Sequence, residues 1–250
     1  MEFNFLKAIP HNLKKKLDKA FELRNKCINT VNSSCILIGD SFISRLEWRH
    51  KKLADSYFRD WLNLGIGGDK AENFLWRINN EGLPANIKKA FISIGTNNIY
   101  KSSVASIVNT IIKIGEKIQN LGSDIYICAQ YPRCDKSMST EISKLNTLLE
   151  IKCDENRMRF IKTEDKFWKN GNINTNLFLN DRIHLSSYGY EMFCLNLIHN
   201  MYKSPVIKDV QKLPSLENGV EKNSDKKITQ FYLNTREFPP LLKCKQPNQT

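Results

Sequence analysis

The sequence predicts an α/β domain of three layers, αβα, with a parallel sheet in the middle. Two observations predict it. Between Ser34 and Tyr202, short apolar and partly β-branched runs alternate with longer stretches of helical spacing. That alternation belongs to a sheet whose crossovers cover both of its faces. The second observation is where the chemically capable residues fall. Glycine, serine, asparagine and histidine cluster just after the apolar runs or just before the last helical stretch, along the edge where an open α/β sheet carries its site. A chain of 250 residues, 41% of them hydrophobic, suits one such domain with flanking segments.

Taken in order, residues 11–29 place Leu13, Leu17, Ala20, Phe21 and Ile28 at roughly helical spacing among lysines. That reads as a solvated amphipathic helix on the edge of the domain. The first strand run is Cys35–Ile38, ending abruptly in Gly39-Asp40-Ser41, with a helical stretch near 43–55. The second run, 61–66, precedes a helix near 70–80. The third, 90–94, precedes a helix over 103–121, for which Gly122 is the stop signal. The fourth, 124–129, and the fifth, 158–162, bracket a helix near 139–155, and a last helix spans about 187–202. Beyond it the chain turns polar, with Pro205, Pro214 and Gly219 and little periodicity. The domain organisation expected is a basic helical arm over 1–30, the α/β domain over 31–203, and a basic, largely disordered tail over 204–250.

Charge and cysteine usage narrow the function classes. Of the formal net charge of +12, a surplus of +4 lies in residues 1–30 and +3 in residues 204–250. Concentration in the flanks suits solvated arms better than a folded basic groove. The seven cysteines contain no C-x-x-C pair and read as buried free thiols of a reducing compartment. No uninterrupted apolar signal region opens the chain and no stretch approaches 18 apolar residues. A cytoplasmic protein is expected, with a nuclear location left open and no integral membrane segment.

Four positions can carry chemistry. Gly39-Asp40-Ser41 is a strand-to-helix turn that exposes a serine hydroxyl above helical N–H groups. Asn63-Leu64-Gly65-Ile66-Gly67-Gly68-Asp69 lets the backbone approach a ligand closely, without the G-x-G-x-x-G spacing of a dinucleotide site. Gly95-Thr96-Asn97-Asn98 offers amide donors. Asn180-Asp181-Arg182-Ile183-His184 sets a carboxylate three residues before an imidazole, near enough to fix its tautomer. Only His11, His50, His184 and His199 exist, so a serine nucleophile has few bases to choose from. Each feature alone has a plain structural explanation, as a turn, a connector or a surface pair. Together they favour a catalytic site. No H-E-x-x-H or paired Cys/His spacing is present, so no metal or cofactor is expected.

These four blocks resemble, in order and spacing, the SGNH or GDSL-type hydrolases. Within that family they are most similar to the catalytic subunits of intracellular platelet-activating-factor acetylhydrolase. Asn63–Asp69 with Phe74-Leu75-Trp76-Arg77 looks like the second block, Gly95–Asn98 reproduces G-T-N-N, and Tyr131-Pro132-Arg133 resembles the L-P-R segment. The resemblance covers about residues 33–202. It implies a flavodoxin-like, five-stranded parallel sheet with Ser41 as nucleophile, His184 as base and Asp181 as orienter. It further implies an oxyanion hole made by the Ser41 N–H, the Gly68 N–H and the Asn97 side chain. Phe42 and Ile183 would wall a short acyl pocket suited to acetyl. The substrate implied is a small-molecule or lipid ester, and self-association as a homodimer is implied with it. O-deacetylation of a sugar or other metabolite is a second use of the same machinery. A reading of another class stands beside both: an esterase-fold interaction module whose basic arms contact nucleic acid or partners, as in some retrotransposon-encoded proteins. Asp225–Tyr232 reads first as a tail segment docking back on its own domain; it also looks like a degenerate sliding-clamp-binding box, with Asp225 where that motif has glutamine.

Overall fold

The computed structural model describes residues 34–80, 82–83, 86–133, 138–163, 165–170 and 172–202. The N-terminal helix read over 11–29, the tail and the clamp-box resemblance at 225–232 lie outside the described residues. Within them the chain runs β1 (Cys35–Gly39), α1 (Ser41–Trp48), α2 (Lys51–Tyr57), β2 (Trp61–Asn63), α3 (Ala71–Asn80) and β3 (Lys89–Ser93). It continues α4 (Val104–Gln119), β4 (Asp124–Cys128), α5 (Ser139–Glu155), β5 (Arg159–Ile161), β6 (Trp168–Lys169), β7 (Asn172–Ile173) and α6 (Ser187–Tyr202).

Strands β1 to β5 form one parallel sheet in the order β2-β1-β3-β4-β5. The five-stranded αβα sandwich expected from the alternation is therefore present. The period of two along each strand sorts the core into two layers. Ile36, Ile38, Ala90, Ile92, Ile125 and Ile127 face α3, α4 and α5. Leu37, Phe91, Tyr126 and Cys128 face α1, α2 and α6. Because both faces are covered, the central strands are apolar at nearly every position, which is why they read as runs rather than as alternations.

Three features differ from the expectation. The helix foreseen over 43–55 is two helices, and it starts earlier, at Ser41. The break comes where the Arg45 carbonyl accepts both the Arg49 and the His50 N–H groups. His50, with φ −124° and ψ 38°, is out of helical conformation, and its ring packs on Tyr190 at 4.2 Å. The second strand ends at Asn63 rather than 66, although the Leu64 and Ile66 N–H groups still bond the Leu37 and Gly39 carbonyls. The two-residue hairpin β6–β7 is too short to leave a periodic signal. Of the cysteines described, Cys128, Cys153 and Cys194 are buried free thiols as expected, whereas Cys35 is only half-buried. No helix among the described residues is long and apolar enough to cross a membrane.

The chain leaves β1 in one direction toward β2 and then returns past β1 to β3, so the order reverses between β1 and β3. A reversal of this kind opens a crevice at the carboxyl ends of the two strands. Ser41 follows β1 and Asn97 follows β3.

Candidate active site

Ser41 is the first residue of α1. Asp40 caps that helix: its Oδ1 accepts the Phe42 N–H at 3.0 Å and its carbonyl accepts the Ser44 N–H at 3.0 Å. The cap leaves the Ser41 N–H in the first turn, at the positive end of the helix. The turn is tight enough to dictate residue type. A Cβ at position 39 would collide with the Ile43 side chain and the Ser93 carbonyl, and one at 65 would lie 2.5 Å from the Ser44 nitrogen. Only glycine lets β3 and the loop after β2 crowd against the start of α1.

The loops that meet Ser41 are stitched together by asparagines. Asn63 donates from Nδ2 to the Ile43 carbonyl at 2.7 Å and accepts the Gly65 N–H at 2.9 Å, fixing the loop after β2 against α1. Asn98, fully buried, accepts the Ala71 N–H at 3.0 Å and donates to Glu72 at 2.6 Å. Asn97 donates from Nδ2 to the Asp69 carbonyl at 2.9 Å and to Asp40 Oδ2 at 3.3 Å. Asp69 is buried and ion-paired with Arg77. Thr96 donates to Gln130 at 2.7 Å, and Gln130 and Asn146 exchange a reciprocal pair of bonds. Each loop around the crevice is therefore held by its own side-chain bonds to the backbone or to a neighbouring side chain.

The third loop comes from the segment before α6. Arg182 adopts φ 59°, a left-handed conformation that costs a non-glycine residue about 1–2 kcal/mol. Its N–H bonds the Leu179 carbonyl, and Leu179 N–H bonds the His184 carbonyl. The reversal returns Ile183 and His184 over Asp181, whose Oδ1 accepts their N–H groups at 3.0 and 2.8 Å. Asp181 Oδ2 lies 2.7 Å from His184 Nδ1, and His184 Nε2 lies 2.9 Å from Ser41 Oγ. Burial pushes the Asp181 carboxyl up, but the two backbone bonds and the imidazole outweigh it and bring its pKa down to about 2. The carboxylate is thus held charged, Nδ1 is fixed as the protonated ring nitrogen, and Nε2 is left to accept from the serine hydroxyl.

All the site residues expected from the sequence are brought to one place, except that Asp181 stands behind His184. Ser41, Phe42, Gly67, Gly68, Asn97, Ile183 and His184 line a single cleft of about 410 Å³. Gly68 has φ 72°, outside the range a side chain favours. Phe42 is buried, its ring 6.0 Å from those of both Tyr131 and His184. Of the other histidines, His50 packs on Tyr190, His199 lies in the last turn of α6, and His11 lies outside the described residues. Sequence reasoning missed the supporting residues: Asp40 as cap, Asn63, Asn98 and Gln130 as ties, and Tyr190, which donates to the Phe42 carbonyl at 2.8 Å from α6. It also missed Arg45 in the cleft wall. The basic arms and the second-class reading built on them lie outside the described residues. No group of three or more metal-ligating side chains occurs among the described residues.

Comparison with known proteins agrees with this architecture. No curated protein sequence matches the chain. Among solved structures, a Streptococcus pneumonia protein named for platelet activating factor aligns with TM-score 0.65 at 20% identity, over 76% of this chain and 94% of its own. A GDSL-like lipase from Bacteroides thetaiotaomicron aligns at 0.63 and 14% identity, over 73% and 96%. The acetylxylan esterase Axe2 from Geobacillus stearothermophilus aligns at 0.57 and 13% identity, over 68% and 94%. At these identities the likeness is one of fold. The sequence itself, over residues 37–192, matches the model of the GDSL-like lipase/acylhydrolase family. With more than half of its length in that match, the chain belongs to the GDSL-like lipase/acylhydrolase family and is an ester-hydrolysing enzyme.

Proposed function

We propose that this protein hydrolyses short-chain carboxylic esters, acetyl esters foremost, through Ser41, His184 and Asp181. The observation that carries the reading is the unbroken line of contacts from Ser41 Oγ to His184 Nε2 at 2.9 Å and from His184 Nδ1 to Asp181 at 2.7 Å. His184 takes the hydroxyl proton as Oγ attacks the ester carbonyl, and Asp181 stabilises the imidazolium that forms. The oxyanion of the tetrahedral intermediate is held by the Ser41 N–H, the Gly68 N–H and the Asn97 amide. As the intermediate collapses, His184 passes its proton to the departing alkoxide, leaving an acetyl-Ser41 ester. Water, deprotonated by the same nitrogen, then attacks that ester; the bond from the acyl carbon to Oγ breaks, Oγ takes the proton back from His184, and acetate leaves.

The acetyl preference is supported by the bulk of Phe42 and Ile183, which line the same cleft as Ser41. The Axe2 neighbour is named as an acetylxylan esterase and the Streptococcus neighbour for platelet activating factor, so acetyl esters of sugars and of lipids are the first compounds to assay. The test is turnover of p-nitrophenyl esters of increasing chain length by the wild type and by Ser41→Ala. Acetate is expected to turn over fastest, with no hydrolysis above background in the variant. Unchanged rates in Ser41→Ala would remove the assignment, and faster cleavage of long chains would remove the acetyl preference.

A further inference from the structure

Of the donors proposed for the oxyanion, the Asn97 amide alone is carried by a side chain, and a side chain needs something to aim it. Its Nδ2 donates to the Asp69 carbonyl at 2.9 Å. Asp69 directly follows Gly68, so the residue that holds one proposed donor is joined by a peptide bond to another. The Asp69 carboxylate is in turn paired with Arg77, which stands on α3. We infer that the ion pair between Asp69 and Arg77 positions the oxyanion hole: it fixes Asp69 so that the Asp69 carbonyl aims the Asn97 amide. The inference rests on the esterase reading for what that amide is aimed at.

Three observations carry it. First, the pair is buried and anchored to the core. The side chains of Asp69 and Arg77 are 1% and 12% exposed, and the Arg77 guanidinium lies 4.9 Å from the centre of the Phe74 ring, itself buried. A buried carboxylate is strongly held by its cation, because separating them strands a charge away from water. Second, Asp69 closes the glycine turn. Its N–H bonds the Ile66 carbonyl at 3.1 Å across Gly67 and Gly68, with Gly68 at φ 72°. Third, α3 also holds the loop that carries Asn97. Asn98 accepts the Ala71 N–H at 3.0 Å and donates to Glu72 at 2.6 Å. Both ends of the bond from Asn97 to Asp69 are thus fastened to one helix, Asp69 through Arg77 and Asn97 through its chain neighbour. A site mounted on a regular element keeps its geometry better than one carried by loops alone. An ion pair that only fastened the loop would change stability and leave the chemical step alone, so kinetics separates the two roles.

The test is a double-mutant cycle on the full chain, read by steady-state kinetics on p-nitrophenyl acetate. Arg77→Gln is expected to lower kcat about 10- to 100-fold, the cost of a displaced catalytic group, with KM changed less than about twofold. Asp69→Asn, nearly the same shape without the charge, is expected to behave alike. Arg77→Lys keeps the charge but not the planar fork, and is expected to lose only about threefold to tenfold. In the Asn97→Ala background each of these substitutions is expected to cost less than about twofold, because the amide through which the pair acts is gone. Unchanged kcat in the variants that fold overturns the inference, and so does an equal loss in the two backgrounds. Wild-type protein without ester turnover sinks the esterase reading instead, and the inference is then decided on the Asn97 side-chain amide itself. Its NMR signals are assigned by their loss in Asn97→Ala. Exchange of its hydrogens with water is expected to quicken at least about tenfold in Arg77→Gln or Arg77→Lys as the bond to Asp69 loosens. An exchange rate that does not change overturns the inference.

Discussion

The side-chain amide nitrogen of Asn97 has two hydrogens, and at rest both have acceptors, the Asp69 carbonyl at 2.9 Å and Asp40 Oδ2 at 3.3 Å. The longer bond is the weaker one. In the proposed mechanism an oxyanion arriving above Ser41 would compete for that hydrogen while the shorter bond keeps the amide in place. Asn97→Ala is therefore expected to lower kcat by about 10²–10³ with little change in KM, the mark of a donor used only in the transition state. Steady-state kinetics on an acetyl ester checks it. Asp181 makes a prediction about acid. Its carboxyl, held down to about 2 against an unfolded value of about 3.9, stabilises the fold fully above the unfolded value, and that contribution is lost as pH falls through the folded one. Because this side chain is 41% exposed, solvent screens the effect and the gain in stability is small. Melting curves are expected to show Asp181→Asn losing less stability than the wild type between about pH 4 and about pH 2. At the residue scale the sequence was most legible where choice was scarcest. Four histidines and one D-x-x-H pointed to His184, whereas Arg45 sits among other charges on an amphipathic helix and gave no sign of its place in the cleft.

The elements matter through their ends. β1 and β3 deliver Ser41 and the Asn97 turn to adjacent positions, and α1 begins on the serine itself because Asp40 caps it. The loop after β2 reaches the same point only because Gly65 lets it lie against α1, where an added Cβ would sit 2.5 Å from the Ser44 nitrogen and 2.8 Å from Ile43 Cγ2. Gly65→Ala is expected to cost about 1–3 kcal/mol in denaturant midpoint analysis, as overpacking does, and to lower activity by displacing Gly67 and Gly68. A variant of full activity and unchanged stability would contradict this picture of the loop. Element type was legible throughout the sheet and its crossovers, since buried parallel strands and amphipathic helices write different periods. The division of the first helix was not. Nothing apolar is missing at Arg49 or His50, and the break depends on backbone bonding at Arg45 and on His50 packing against Tyr190, 140 residues away in sequence.

For the molecule as a whole, function follows from strand order. With β1 between β2 and β3, the loops after all three strands open into one crevice, and the segment before α6 closes it with His184. α6 is tied to α1 by the bond from Tyr190 to the Phe42 carbonyl, one residue after Ser41. The alternation of runs and helical stretches foretold the layers, and the four blocks foretold which loops converge. The separate ties made by Asn63, Asn97, Asn98 and Gln130 were beyond that reading, because side-chain bonds of this kind are encoded by no spacing. In the proposed mechanism Ser41 is an activated nucleophile because His184 accepts its proton. The most direct measurement treats the full chain with a fluorophosphonate and locates the adduct by peptide mass spectrometry. One adduct per chain, on Ser41 and lost in His184→Gln, is the outcome expected. An unlabelled Ser41, or labelling indifferent to the loss of His184, would contradict it.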